Sequence, residues 1–303
     1  MAVIAGLVLL GVLLQLVDNL LRIEAKQAGA DRSGANYSLF PSMGEIIKPK
    51  MPEYVGGEPV TVFKKGHDIL LQGEASADTH QDAQVTTFAV QPRNFVGMSP
   101  IPKLSIAVGD EVKAGDQLFF DKTRPDVKYV APVSGEVIAI NRAEKRSIAE
   151  VVILADKEIK YRELEPFDLE NGSREDLVNY LMDVGAWPFV RQRPFDTVAD
   201  PKEPAKAIFI STFDTAPLAP DLNLAVEGRA VEFQKGLDVL NKLVDGPVHL
   251  GLNAKSEEKP SDVFLNAEGV EKHWFHGKHP AGNVGIQIHH TDPIGMRDRV
   301  WTV

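Results

Sequence analysis

The first apolar pattern in the chain is continuous rather than periodic. Ala2 to Leu14 reads AVIAGLVLLGVLL, and the run goes on through Leu16, Val17, Leu20, Leu21 and Ile23. A helix that spans a bilayer needs about 20 mostly apolar residues, so residues 1–27 predict a transmembrane anchor helix. Gln15, Asp18, Asn19 and Arg22 interrupt the run at i, i+3, i+4 and i+7 and share one helical stripe. A polar stripe at that depth faces protein rather than lipid, which marks these four as contacts with membrane partners. Arg22, Lys26 and Arg32 follow the run and nothing basic precedes it. The positive-inside bias then puts the C-terminal body on the cytoplasmic side of an inner membrane, behind a single pass that meets lipid through residues 2–23. An amphipathic helix lying in the interface is one alternative. A signal peptide cut near Ala28-Gly29-Ala30 is another, although it lacks the basic flank such signals carry.

Residues 28–60 carry five Gly and four Pro with weak periodicity, the pattern of an extended linker or of a strap lying on the next domain. From 61 to 157 the pattern becomes short β-type runs about ten residues apart, the rhythm of an all-β barrel or sandwich. They include Thr61-Val62-Phe63, Val85 to Val90, Leu104 to Val108, Tyr129-Val130, Glu136 to Ile140 and the fully apolar Val151 to Leu154. Val108 to Phe119, VGDEVKAGDQLF, repeats a Gly-Asp turn dipeptide at 109 and 115, and Ala131 to Ile140, APVSGEVIAI, turns at Ser134-Gly135. Together these segments resemble the biotinyl/lipoyl-type barrel-sandwich hybrid. A swinging-arm carrier of that fold needs a modifiable lysine on a tight hairpin. Lys122 is the candidate, but the segment RPDVKYV after it is too long and too charged, so a solvated loop lysine is the better reading.

From 158 to 303 the grammar is α/β. Ser173 to Asp176 is a helix N-cap signal ahead of Leu177, Val178, Tyr180 and Leu181, with Gly185 as the stop. AIFIST at 207–212 is a buried-strand run, residues 226–244 have helical spacing, and VHLGL at 248–252 is a second strand. The whole is an α+β, multi-domain chain: anchor helix, β barrel-sandwich hybrid, then α/β domain. No GxGxxG or Walker-type loop accompanies it, so no nucleotide site is implied.

Composition narrows the function. The chain has 303 residues, 33 basic and 43 acidic side chains, a net charge of −10 and no cysteine. Disulfides, thiolate zinc sites, cysteine-ligated clusters and a Cys nucleophile are excluded. The acidity argues against a nucleic-acid partner.

Several blocks carry a resemblance to one family. They are Lys65-Gly66-His67-Asp68-Ile69 through Gly73, Arg191-Gln192-Arg193-Pro194-Phe195, the run from Phe213 to Asp221, the run from Gly277 to His290, Asp292-Pro293-Ile294 and Val300-Trp301-Thr302-Val303. In this order they resemble the A subunit of the Na⁺-translocating NADH:quinone reductase, a relative of the C subunit of the Rnf complex. The resemblance runs from about Phe63 to Val303. It implies an added N-terminal anchor and a missing C-terminal segment. It further implies a cofactor-free subunit of an electron- and ion-transporting membrane complex, with other membrane subunits as partners and a quinone as the associated small molecule. Whether such a chain is itself an enzyme is left open, because no independent catalytic site stands out. The alternative is a repurposed scaffold subunit of another membrane complex, without catalysis of its own. The lack of cysteine fits the cofactor-free branch and not the iron–sulfur-bearing Rnf-type subunit.

The candidate quinone or partner surface comprises Arg191, Arg193, Asp214, His279, Gly282 and His289. Asp214 follows a strand and so sits where open α/β sheets bind ligands, though an Asp in such a turn is more often a cap. Arg191 and Arg193 can clamp an anion or pair with surface carboxylates. Six of the eight histidines fall between His249 and His290. The spacing of His273, His276 and His279 does not put all three on one strand face, and Gly277 argues against a helix, so no metal site is assigned.

Overall fold

The computed structural model describes residues 2–27, 51–68 and 85–303. The chain forms two compact units, Met1–Met51 and Pro52–Val303. The first contains the expected helix, α1 (Ala2–Gln27). The spanning anchor is corrected, however: among the described residues no helix is long and apolar enough to cross a membrane. The reason lies in the polar stripe. The uninterrupted run Ala2–Leu14 covers about 20 Å at 1.5 Å per residue, against a hydrocarbon core of roughly 30 Å. Of the stripe residues, Asp18 is only 6% exposed, whereas Gln15 and Asn19 are exposed. Most of the linker expected at 28–60 lies outside the described residues, as do Ile69 to Gly73 of the first family-like block.

The second unit begins on a strap. Tyr54 donates its hydroxyl to Ser256 O at 2.7 Å and packs against Trp274 with ring centroids 5.8 Å apart. Strand β1 (Val60–Val62) then pairs in parallel with β13 (Glu271–His276). The sequence places Thr61-Val62-Phe63 at the head of the β region; its partner lies some two hundred residues away, and a three-residue apolar run carries no record of that.

The barrel-sandwich hybrid is built from two small sheets. One orders β2 (Thr87–Val90), β8 (Ile148–Ala155), β7 (Gly135–Arg142) and β4 (Glu111–Val112); the other orders β3 (Lys103–Leu104), β5 (Gln117–Asp121) and β6 (Arg124–Val130). The two Gly-Asp dipeptides make the same turn twice. Asp110 Oδ2 accepts from Ala107 N at 2.8 Å and Asp116 Oδ2 from Lys113 N at 2.7 Å. Gly109 N and Gly115 N donate onward to Val137 O and Ala131 O. Gly135 is required by crowding, since a Cβ there would lie 1.9 Å from Leu154 O.

The α/β part follows with α2 (Arg174–Asp183), β9 (Arg191–Arg193), β10 (Thr197–Val198), β11 (Ala207–Ser211), α3 (Leu222–Ala225), α4 (Ala230–Leu243), β12 (Val248–Asn253), α5 (Asp262–Leu265), β13, α6 (Val284–Thr291) and β14 (Val300–Thr302). The expected N-cap forms at α2, and it does so as a full capping box, with Ser173 Oγ accepting from Asp176 N at 3.1 Å. A seven-stranded sheet orders β1-β13-β12-β11-β14-β9-β10. It is parallel as far as β14 and antiparallel from β14 to β10. Barrel and sheet share one hydrophobic core, from Val112 and Leu118 through Trp187 to Trp301. The two tryptophans meet edge to face at 5.5 Å, and Trp187 donates Nε1–H to Ala199 O at 2.9 Å, so the largest apolar groups are buried with a polar atom satisfied.

Candidate functional site

Open α/β sheets bind ligands outside the carboxyl ends of their strands. Here those ends are Val62 of β1, Ser211 of β11, Asn253 of β12 and His276 of β13. The loops that leave them hold one another in place. Gln287 on α6 is almost fully buried and donates to Ser211 Oγ at 2.9 Å and to Ala281 O at 3.1 Å. Ser211 Oγ in turn donates to Phe213 O at 2.8 Å. Thr215 Oγ1 accepts from Gly282 N at 3.0 Å and lies 3.1 Å from His279 Nδ1. Gly282 is required by close approach: a Cβ there would fall 2.6 Å from Thr215 N and 2.7 Å from Asp214 Cα.

A second tie crosses from the strap. Asp68 accepts from Lys255 Nζ at 2.9 Å and from His279 N at 3.4 Å, and the Lys255 hydrogen bond holds its carboxyl below the usual range. His67 N donates to His279 O at 2.9 Å.

Between this rim and α6 opens a cavity of about 520 Å³ lined by Val62 to Gly66, Pro280, Ala281, Ile286 and His290. Its wall is aromatic. Phe63 stacks on Phe275 with centroids 5.7 Å apart and receives the edge of His290 at 4.7 Å. The size and apolar lining are those of a small-molecule site. A larger hollow of about 890 Å³ lies on the barrel beside Arg93, Lys122 and Lys145, away from the strand ends.

The sequence-selected residues divide. Gly282 and His279 shape the loops beside the cavity without lining it. Asp214 is exposed, and its Oδ1 accepts from Ala216 N at 2.8 Å, the capping role. Arg191 and Arg193 both reach Asp196 in their own hairpin, at 2.7 Å and 3.5 Å, so their cationic ends are paired. His289 is exposed, and its neighbour His290 is the histidine that lines the cavity. Sequence reasoning misses Phe63 and His290 as cavity residues. The signal lies in the spacing of α6, where Ile286 and His290 are i and i+4 and therefore share a face.

His273, His276 and His279 do not form a set. His273 and His276 are three apart on β13 and take opposite faces, while His279 lies in the loop beyond.

The fold is a barrel-sandwich hybrid welded to an α/β domain, with the cavity at the edge of its sheet. The family model for the NqrA N-terminal barrel-sandwich hybrid domain matches residues 61–156, and that for the NqrA second alpha/beta domain matches residues 172–303. The A subunit of the Na(+)-translocating NADH-quinone reductase of Alcanivorax borkumensis is 37% identical over 244 residues, covering 80% of this chain and 53% of the relative. Its counterparts in Neisseria meningitidis serogroup B, 35% over 243 residues, and Haemophilus influenzae, 36% over 244, cover the same shares of each chain. The chain belongs to the NqrA family. It spans about half the length of the curated relatives it matches.

Proposed function

We propose that this chain is one component of an energy-converting membrane complex of the NADH:quinone reductase kind, carrying no cofactor of its own, and that its edge cavity receives a quinone head group. The cavity beside the Gly282 loop supports the reading most directly. A planar, largely apolar ring with two carbonyl acceptors needs aromatic walls and a few donors; Phe63, backed by Phe275, and His290 supply the former, and Lys65 in the lining carries an ammonium donor. His290 Nδ1 donates to Ile286 O at 2.9 Å, which fixes the orientation of the ring at the cavity wall. In this role the chain's residues bind, orient and shield the ring, and electron transfer belongs to partner subunits.

Membrane attachment, on this reading, comes from the partners and from the exposed Leu9, Leu10, Leu13, Leu16 and Leu20 of α1 lying against lipid, with the C-terminal body on the cytoplasmic side. The test has two arms. The full chain is titrated with a short-chain ubiquinone, and Phe63→Ala is expected to weaken binding at least tenfold; absence of binding by the unaltered chain overturns the quinone site. The chain is also purified from its native membrane with whatever accompanies it. Other reductase subunits support the assignment, and unrelated membrane proteins would instead make it a repurposed scaffold.

A further inference from the structure

At the amino ends of β12 and β13, far along the strands from the cavity, three side chains converge that the quinone reading does not use. In a parallel pair, neighbouring strands run about 4.8 Å apart and residues two apart share a face. His249 is the register partner of Glu271, and His273 lies two residues beyond Glu271. All three therefore stand on one face of the sheet. His249 Nδ1 lies 2.9 Å from His273 Nε2 and 3.3 Å from Glu271 Oε2, and His273 Nε2 lies 4.0 Å from that same oxygen. The point equidistant from three atoms so spaced is about 2 Å from each, the bond length of Zn²⁺ to an imidazole nitrogen or a carboxylate oxygen.

We propose that His249, Glu271 and His273 form a binding site for one divalent transition-metal ion of the Zn²⁺ class, with a further coordination position open to solvent. Two imidazoles and one carboxylate suit such an ion and not Mg²⁺ or Ca²⁺, which take oxygen ligands. His249 is only 4% exposed and packs its ring on Phe209 at 4.2 Å, so one ligand is rigidly placed. The Glu271 side chain is 61% exposed, which gives the ion a way in and leaves water access to the open position. Burial lowers the pKa of both imidazoles, which favours the neutral form that coordinates. Around His249, Glu271 and Asp292 favour added positive charge and Lys206 opposes it.

The competing account is a hydrogen bond between the two rings. It places one proton between His249 Nδ1 and His273 Nε2: on His249 that proton is shared with Glu271 Oε2 at 3.3 Å, and on His273 it leaves the carboxylate facing a lone pair. A single cation satisfies all three acceptors at once.

The experiment uses the full chain, stripped with a chelator and titrated with Zn²⁺ against a chromophoric competitor, and separately with Co²⁺ to read its visible absorption. Uptake of one ion per chain is expected, weakened at least tenfold in Glu271→Gln and in His273→Gln. His276→Gln, on the opposite strand face, should bind as the unaltered chain does. Glu271 is exposed, so its variant keeps the test valid even if His273→Gln fails to fold. No stoichiometric uptake, or uptake that Glu271→Gln leaves unchanged, overturns the site, as does equal loss in His276→Gln.

Discussion

Thr215 and His279, 64 residues apart in sequence, meet at the carboxyl edge of the sheet with Oγ1 and Nδ1 3.1 Å apart. The same hydroxyl accepts from Gly282 N at 3.0 Å, so one small side chain joins the loop after β11 to the loop after β13.

Thr215→Val keeps the shape and removes the hydroxyl. It leaves the Gly282 amide without its partner, and stranding such a group costs about 1–3 kcal/mol. Denaturant unfolding of the full chain should show a loss of that size, with quinone titration weakened in parallel. Thr215→Ser restores a hydroxyl and should recover most of both.

Gly282→Ala tests the same junction from the other side. The added Cβ would meet the backbone of Asp214 and Thr215 at 2.6–2.8 Å, where no rotamer change can relieve it. Overpacking of this kind costs about 1–3 kcal/mol. A lowered melting temperature is expected, with the cavity opened as the two loops part. A variant as stable as the parent would show that these loops are not held close.

Much of this architecture is legible in the sequence, for reasons that differ by element. Strands β11 and β12 and helices α2 and α4 are local signals: apolar runs, a Ser-to-Asp capping pair, a helical period. The paired Gly-Asp turns announce the barrel. Strand β13 is hidden because EKHWFH mixes charge and imidazole where a buried strand is expected to be apolar. Helix α6 is hidden behind Gly282, just before it, and Gly285, in its first turn, which together read as a turn. The meeting of His249 with Glu271 depends on the register of two parallel strands, and no spacing along one segment encodes that. At α1 the apolar positions suffice by number for a span, and the polar stripe among them sets the true limit.

The barrel and the α/β part are also tied by charge. Asp183 at the end of α2 receives Lys128 of β6 and Arg162. The Lys128 hydrogen bond, ahead of Arg162, lowers the Asp183 pKa from its ordinary 3.8. A carboxylate lowered on folding contributes stability above its unfolded pKa and loses it as pH falls through the folded value. Its side chain is 38% exposed, so water screens the pair. Asp183→Asn is therefore expected to cost on the order of 1 kcal/mol at neutral pH. The gap between variant and parent should close as the pH is taken below about 4. A gap independent of pH would assign the loss to packing.

His276 titrates the other way. Burial, and then the charge of Lys255, lowers its pKa from the ordinary 6.5. The unfolded chain therefore takes up the proton first as the pH falls. The folded state holds its full advantage above about 6.5 and gives it up below that, until the folded pKa is reached and the loss levels off. His249 and His273 are lowered by burial as well and add to the same slope. Unfolding free energy measured from pH 7.5 downward should fall in the parent and fall less steeply in His276→Gln, the two agreeing most closely at the neutral end. Parallel lines would mean that His276 binds its proton equally in both states, and the half-buried imidazole at the end of β13 would then have to be fully exposed.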